Sequence, residues 1–266
     1  MIKLENIEVV GWEHAIRGMR NPMNSWEKSD TRHCYENADC GDCPGFCDDG
    51  YVFVGVDPLI IGPNDHHLMM SLAKGGPVHA KYRRMITVYL DITAPLYWWK
   101  EFDTYKVGTV ANSCSTMHKI HAKEFTLDDF SYEHLMRLDI TCEEVGDDIP
   151  YIDVSPLGDD TIMYSPRGLL VKTIELLNKC RDKYLLAKNK PMKEEAKRAG
   201  LMKRYWWQMI QLLPSSYNQK RTVMLNYEVL NNIYHSRRHH KLDEWHAFCD
   251  MIDGLPYSEI IIGEKD

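Results

Sequence analysis

The feature that most constrains this chain is the stretch from Leu212 to Pro256, which opens with the helix-ending Leu212-Leu213-Pro214. From Thr222 to about Lys241 no Gly or Pro interrupts, and apolar residues recur at Val223, Met224, Val229, Leu230, Ile233 and Tyr234. That spacing predicts one amphipathic helix over about 222–241. Positions eleven apart on a helix nearly eclipse, so Asn226 and Arg237 are expected on one face, roughly 16 Å apart. An amide and a guanidinium along one face suit a long, polar, anionic ligand lying across the helix. The competing reading is a helix whose last turn carries Arg237, Arg238, His239, His240 and Lys241 because cations suit a helix C-terminus. Arg238 lies about 100° further round and is expected to point away.

At 266 residues the chain can bury a substantial core as a single domain, here with a Cys-rich insertion at about 33–50. A net charge of −7 argues against a nucleic-acid polymer as partner, while leaving room for a basic pocket that holds a small anion. The opening MIKLENIEVVGWEHAIRG has no apolar core of signal-peptide length, and no apolar run nears the roughly 20 residues that cross a membrane. A cytoplasmic protein is expected, and its 8 cysteines as thiols or metal ligands. The insertion carries His33-Cys34-x5-Cys40-x2-Cys43-x3-Cys47. Thiolates this crowded suit one tetrahedral zinc held by Cys34, Cys40, Cys43 and Cys47, with His33 able to replace one ligand. An iron–sulfur cluster stays open by ligand type, although the spacing fits no common pattern. Four plain thiols in a loop are the alternative, since only one Cys-x2-Cys knuckle is present.

In order, Lys3–Val10 alternates as a strand and Trp12–Met19 reads as a helix ended by Asn21-Pro22. Strand pieces are expected at Tyr51–Val56 and Leu59–Ile61, then a helix over His66–Lys74 capped by Asn64 or Asp65. Met85–Thr93 is β-branched and alternating; Ala94-Pro95 then opens a helix whose aromatics Tyr97, Trp98, Trp99 and Phe102 read as core rather than as a stacking platform. Residues 125–142 read as helical or mixed, and 147–161 as a connecting loop. Ser165-Pro166-Arg167 starts a long helix over about 168–187, and 192–212 forms another.

Two stretches carry a family resemblance. Leu213-Pro214 followed by T-V-x-L-N, an apolar helix and Arg237 resembles the C-terminal signature of flavin-dependent thymidylate synthases. Upstream, strand, Ala94-Pro95 and aromatic helix resemble the family segment leading into R-H-R-x-x-S-x-N-E-x-S-x-R-Y. With one inserted residue, Lys106 falls on the second Arg, Thr109 on the first Ser, Asn112 on the Asn and Ser115 on the second Ser. Departures are Tyr105 for the His, Ser113 for the Glu, and Met117 for the Arg that holds the nucleotide phosphate. The family Arg two residues past the Asn is Glu228 here, and the one before the Leu-Pro turn is Ile210, with Gln208 and Gln211 nearby. Counting back from the motif places His79 on the histidine that approaches the flavin.

The resemblance implies an α/β (α+β) fold with a central, mainly antiparallel sheet flanked by long helices. It implies a homotetrameric enzyme that methylates dUMP reductively at C5, with FAD as cofactor and NADPH and methylenetetrahydrofolate as co-substrates. His79, Lys106, Thr109, Asn112 and Asn226 would meet FAD; Glu101, Ser113, Ser115, His118, Gln211 and Arg237 would meet the nucleotide, with Arg237 and Ser115 closest to the chemistry. Two rivals are a sister flavoenzyme acting on another pyrimidine nucleotide and a non-catalytic nucleotide-binding protein. No Gly-rich dinucleotide fingerprint, phosphate loop or G-x-S-x-G elbow points elsewhere.

Overall fold

The β-branched, alternating segment that ends at Pro95 is the strand on which the sheet is built. The computed structural model describes residues 2–33, 59–135, 165–189 and 195–263. In chain order these form β1 (Lys3–Val10), α1 (Trp12–Arg20), β2 (Arg32–His33), β3 (Leu59–Ile60), α2 (Pro63–Lys74), β4 (Thr87–Pro95), α3 (Leu96–Phe102) and β5 (Val110–Ser113). They continue with α4 (Thr116–Lys119), α5 (Pro166–Asn189), α6 (Glu195–Leu212), β6 (Asn218–Asn226), α7 (Tyr227–Arg237), α8 (Asp243–Asp253) and α9 (Glu259–Ile262).

The main sheet has the order β1-β4-β6-β5, and β2 pairs with β3 in a short second sheet. β1 is antiparallel to β4, with Lys3 opposite Thr93 and Val10 opposite Thr87; β5 is antiparallel to β6, with Val110 opposite Met224 and Ser113 opposite Arg221. The expected mixed fold with an antiparallel sheet and long helices is therefore what forms. Side chains in a strand alternate faces, and Val88, Leu90, Ile92, Val223 and Leu225 are all buried. On the alternate positions Asp91 accepts from Thr222 Oγ1 at 2.6 Å and Asn6 Nδ2 at 2.9 Å, and Lys220 Nζ lies 3.1 Å from Asp91 and 3.4 Å from Glu5.

One expectation is overturned. The predicted helix over 222–241 is two elements: Thr222–Asn226 completes β6, and α7 begins only at Tyr227. Val223 and Leu225 are buried with exposed or half-buried residues between them, a period of two rather than 3.6. Pairing with β5 fixes that extended geometry. Asn226 remains extended, and its side-chain oxygen accepts from Val229 N at 3.1 Å, so it caps α7 instead of sitting on its face. The shared-face argument for Asn226 and Arg237 falls with this, although Arg237 still ends the helix.

The chain divides into two compact units. One comprises Pro95–Tyr97 and Cys114–Gln219. Its core joins Leu170, Ile174 and Leu177 of α5 to Met209 of α6 and to Ile120, Phe125 and Phe130. Ser165 Oγ accepts from Gly168 N at 3.0 Å, the N-cap that the sequence predicts. In the Leu-Pro turn Tyr217 N donates to Pro214 O at 3.0 Å. The carbonyls of Tyr217 and Ser215 accept from Leu96 N and Tyr97 N, each at 3.0 Å, satisfying the first orphan donors of α3.

The other unit comprises Ile2–Ala94, Trp98–Ser113 and Lys220–Asp266. Its aromatic core sets Trp98 against Trp245 with ring centroids 4.7 Å apart, Phe102 at 5.0 Å and Phe248 at 5.8 Å, so the aromatic run is core, as expected. A second buried feature is polar. Asp65 is fully buried and accepts from Arg20 Nε at 2.6 Å, Ser29 Oγ at 2.7 Å, Thr31 Oγ1 at 2.7 Å, Thr31 N at 3.1 Å and Asp30 N at 3.2 Å. Neither expected cap of α2 acts as one. Gly62 occupies the N-cap position, and Asp30 supplies the acceptors for Asn64 N at 2.9 Å and Asp65 N at 3.1 Å. Asp65 is thereby freed to bind Arg20.

Candidate active site

Arg237, at the end of α7, is held on three sides. Its Nη1 donates to Glu101 Oε2 at 2.7 Å, its Nε donates to the Tyr105 hydroxyl oxygen at 2.9 Å, and its guanidinium lies 4.9 Å from the Trp245 ring centroid. Glu101 comes from α3, whose buried Trp98, Trp99 and Phe102 leave the carboxylate on the half-buried side. Glu101 Oε2 also accepts from Trp245 Nε1 at 3.1 Å and faces His240 Nε2 at 3.3 Å. His240 Nδ1 accepts from Leu242 N at 3.1 Å, which leaves the ring proton to Nε2. The result is a half-buried Arg–Glu pair walled by two aromatic rings, with Arg237 side chain 20% and Glu101 34% exposed. Arg238 behaves differently: it turns to Asp250 at 2.7 Å and Asp253 at 3.4 Å, away from Glu101, as its place on the helix predicts.

The second group of predicted residues lies in the same unit. Gly108 adopts a left-handed φ of 81°, and a Cβ there would come within 2.9 Å of Asn226 Nδ2 and 3.1 Å of Val229 Cγ2. The loop carrying Lys106 and Thr109 is thus laid against the start of α7 and the Asn226 amide. Thr109 Oγ1 is buried without a hydrogen-bond partner among the described residues. Asn112 and Ser113 stand on the exposed strand β5, Lys106 is exposed, and His79 is exposed with its ring 3.1 Å from where a Cβ on Gly75 would sit. Glu228, where the resemblance expects an Arg, is buried and faces the buried Arg83 at 3.7 Å. Arg83 comes from the 3-10 helix Ala80–Met85.

Ser115, His118 and Gln211 belong to the other unit. Ser115 caps α4, its Oγ accepting from His118 N at 3.1 Å; the His118 and Gln211 side chains are exposed. Met117 is exposed, and its carbonyl accepts from Trp206 Nε1 at 2.8 Å. The structure brings Ser115 together with the His118 backbone, and Glu101 with Arg237. Cys34, Cys40, Cys43 and Cys47 lie outside the described residues, as does the strand expected at Tyr51–Val56. No cluster of three or more His, Cys, Asp or Glu with metal-binding geometry occurs among the described residues. Sequence reasoning missed Trp245 and His240 as members of the Arg237 site, and gave Tyr105 no role beyond an altered motif position. The contacts Tyr105–Arg237, His240–Glu101 and Trp245–Glu101 span 132 to 144 positions and arise only through tertiary packing, so no local pattern announces them.

No family model matches the sequence. No curated protein matches it. Among solved structures, flavin-dependent thymidylate synthase ThyX from Helicobacter pylori, complexed with FAD and dUMP, aligns over 98% of this chain and 98% of its own, with a TM-score of 0.53 and 15% identity. A structure of thymidylate synthase X (ThyX) from Helicobacter pylori with FAD and dUMP aligns over 99% and 98%, with a TM-score of 0.54 and 14% identity. The fold is shared with ThyX. No described helix is long and apolar enough to cross a membrane.

The residues beside α7 fit a flavin nucleotide. The buried Thr109 hydroxyl lacks a partner, and the Asn226 amide uses only its oxygen in the cap, leaving Nδ2 as a donor. Those two neutral groups, with the exposed Lys106, Asn112 and His79, offer donors of the kind that ring carbonyls and a diphosphate require.

Proposed function

We propose that this chain is a flavin-dependent enzyme that methylates dUMP reductively at C5. The observation that carries the reading is the likeness to ThyX structures holding FAD and dUMP along 98% of the chain. His79, Lys106, Thr109, Asn112 and Asn226 would hold FAD, which supplies the hydride chemistry when bound. NADPH would be the reductant and methylenetetrahydrofolate the carbon donor, in a cytoplasmic homotetramer.

The chain's own work is to bind and polarise the pyrimidine. Arg237 would hydrogen-bond a ring carbonyl and stabilise the negative charge that gathers there as C5 becomes nucleophilic. Glu101 and Tyr105 fix the guanidinium in advance, so little reorganisation is needed as the charge develops. Trp245 and the Tyr105 ring exclude water from one side. Ser113, on β5, is a further donor assigned to the nucleotide, and Ser115, His118 and Gln211 enter the reading by resemblance alone. One zinc at Cys34, Cys40, Cys43 and Cys47 is proposed on spacing; elemental analysis giving about one zinc per chain would support it.

The test is binding. Protein denatured after purification should release FAD, or apo-protein should take up FAD saturably, and dUMP should then perturb the flavin spectrum. Saturable FAD uptake without any response to dUMP would remove the nucleotide part of the proposal, and no flavin binding would remove all of it.

A further inference from the structure

Arg237 does not offer a whole guanidinium to a ligand. Nη1 is committed to Glu101 and Nε to the Tyr105 oxygen, so Nη2 is the nitrogen with no hydrogen-bond partner among the described residues. Because Arg237 donates to the Tyr105 oxygen, the phenol's own proton must point elsewhere, and it meets no acceptor among the described residues. Glu101 is equally lopsided. Its Oε2 faces Arg237 at 2.7 Å, Trp245 Nε1 at 3.1 Å and His240 Nε2 at 3.3 Å, whereas Oε1 accepts from none of the described residues. The cluster therefore keeps two unused donors on adjoining groups and one unused carboxylate oxygen.

We infer that this trio reads the imide edge of a nucleobase, with Tyr105 as a specificity-determining residue. Tyr105 O–H and Arg237 Nη2–H converge on one carbonyl oxygen, and Glu101 Oε1 accepts the neighbouring ring N–H. Lone pairs decide which edge fits. A carbonyl oxygen has two and satisfies both donors; an unprotonated ring nitrogen has one and satisfies only one. A uracil-type edge supplies the oxygen beside an N–H. A cytosine-type edge supplies an amine beside a bare ring nitrogen, which leaves one of the two donors unpaired in a half-buried site. Sites built to pair a polar group discriminate strongly against ligands that leave it unpaired. The inference rests on the proposed nucleotide reading and names the residue that would tell its 4-oxo, 3-NH edge from a cytosine edge.

The experiment titrates dUMP and dCMP separately into wild type, Tyr105→Phe and Glu101→Gln, following Trp fluorescence, since Trp245 stands against Arg237. Wild type should prefer dUMP by about tenfold, the effect of the one donor that a cytosine-type edge leaves unpaired. Tyr105→Phe keeps the ring beside Trp245 but removes both the oxygen that holds Arg237 Nε and the spare donor, so both nucleotides should weaken, dUMP about tenfold more than dCMP. The dUMP:dCMP ratio should fall accordingly. In Glu101→Gln the amide can turn either way, and the ratio should fall again. If Tyr105 merely props Arg237, Tyr105→Phe weakens both nucleotides equally and leaves the ratio alone, which overturns the inference while the nucleotide site stands. A wild-type preference for dCMP overturns it as well. Wild type that binds neither nucleotide removes the parent reading and the inference together.

Discussion

Replacing Arg237 by Lys separates the proposed site from an ordinary basic helix end. In the native protein the guanidinium uses Nη1 on Glu101 at 2.7 Å, Nε on Tyr105 at 2.9 Å, and its face on Trp245 at 4.9 Å. A lysine ammonium can still reach Glu101 as a point charge, but it cannot keep the planar fork or the Tyr105 bond. The fold should lose about 1–2 kcal/mol, one hydrogen bond and part of a stacked cation, discounted because the pair is partly exposed. The donor lost to the nucleotide is charged, worth about 1.5–3 kcal/mol, so dUMP affinity should fall about 10- to 150-fold. Arg238→Lys is the control. Its partners Asp250 and Asp253 are surface groups, and a lysine retains most of a pair worth about 0.2–1 kcal/mol. Calorimetric titration of dUMP into both FAD-loaded variants, with thermal melts alongside, gives the comparison. Equal losses of affinity in the two variants would refute the assignment of Arg237 to the nucleotide.

Asp65→Asn should cost about 3–5 kcal/mol, because it leaves the buried Arg20 charge uncompensated, and urea unfolding would show it. Burial pushes the Asp65 carboxyl up, but the Thr31 and Ser29 hydroxyls and the Arg20 guanidinium outweigh it and hold it below the usual value. Its stabilisation is therefore complete above the unfolded value of about 3.9 and is lost as pH falls through the lower folded value. Wild type should show that acid slope, the Asn variant should lack it, and an unchanged slope would contradict the sign. Gly108→Ala should lower the melting temperature and weaken FAD uptake, since it combines left-handed strain of about 1–2 kcal/mol with a 2.9 Å approach to Asn226. Gly76→Ala carries similar strain at φ 85° with nothing within 4 Å, so it should melt earlier yet take up FAD normally.

What could be read from the sequence was local. The strand Lys3–Val10, the helix opened by Ala94-Pro95, the Ser165 cap and the basic end of α7 each follow from neighbours a few residues apart, and each forms. Thr222–Asn226 reads as helix from the sequence because its apolar residues satisfy a helical spacing too. Only pairing with β5, more than a hundred residues earlier, selects the strand. The same limit hid the Asp30 cap on α2 and the Arg20–Asp65 pair, whose partners lie 34 and 45 positions apart. At the site, Arg237 was legible as a cation at a helix end. Its commitment to Glu101 and Tyr105 was not, because it depends on α3 and α7 converging within the fold.

The proposed reaction is substitution at C5 of dUMP, and substitution there must expel the hydrogen that C5 carries. Supplied with FAD, NADPH, methylenetetrahydrofolate and dUMP tritiated at C5, the protein should release tritium to water with formation of dTMP. Arg237→Lys should release it far more slowly. Protein that binds both FAD and dUMP yet leaves the tritium on C5 would contradict the account.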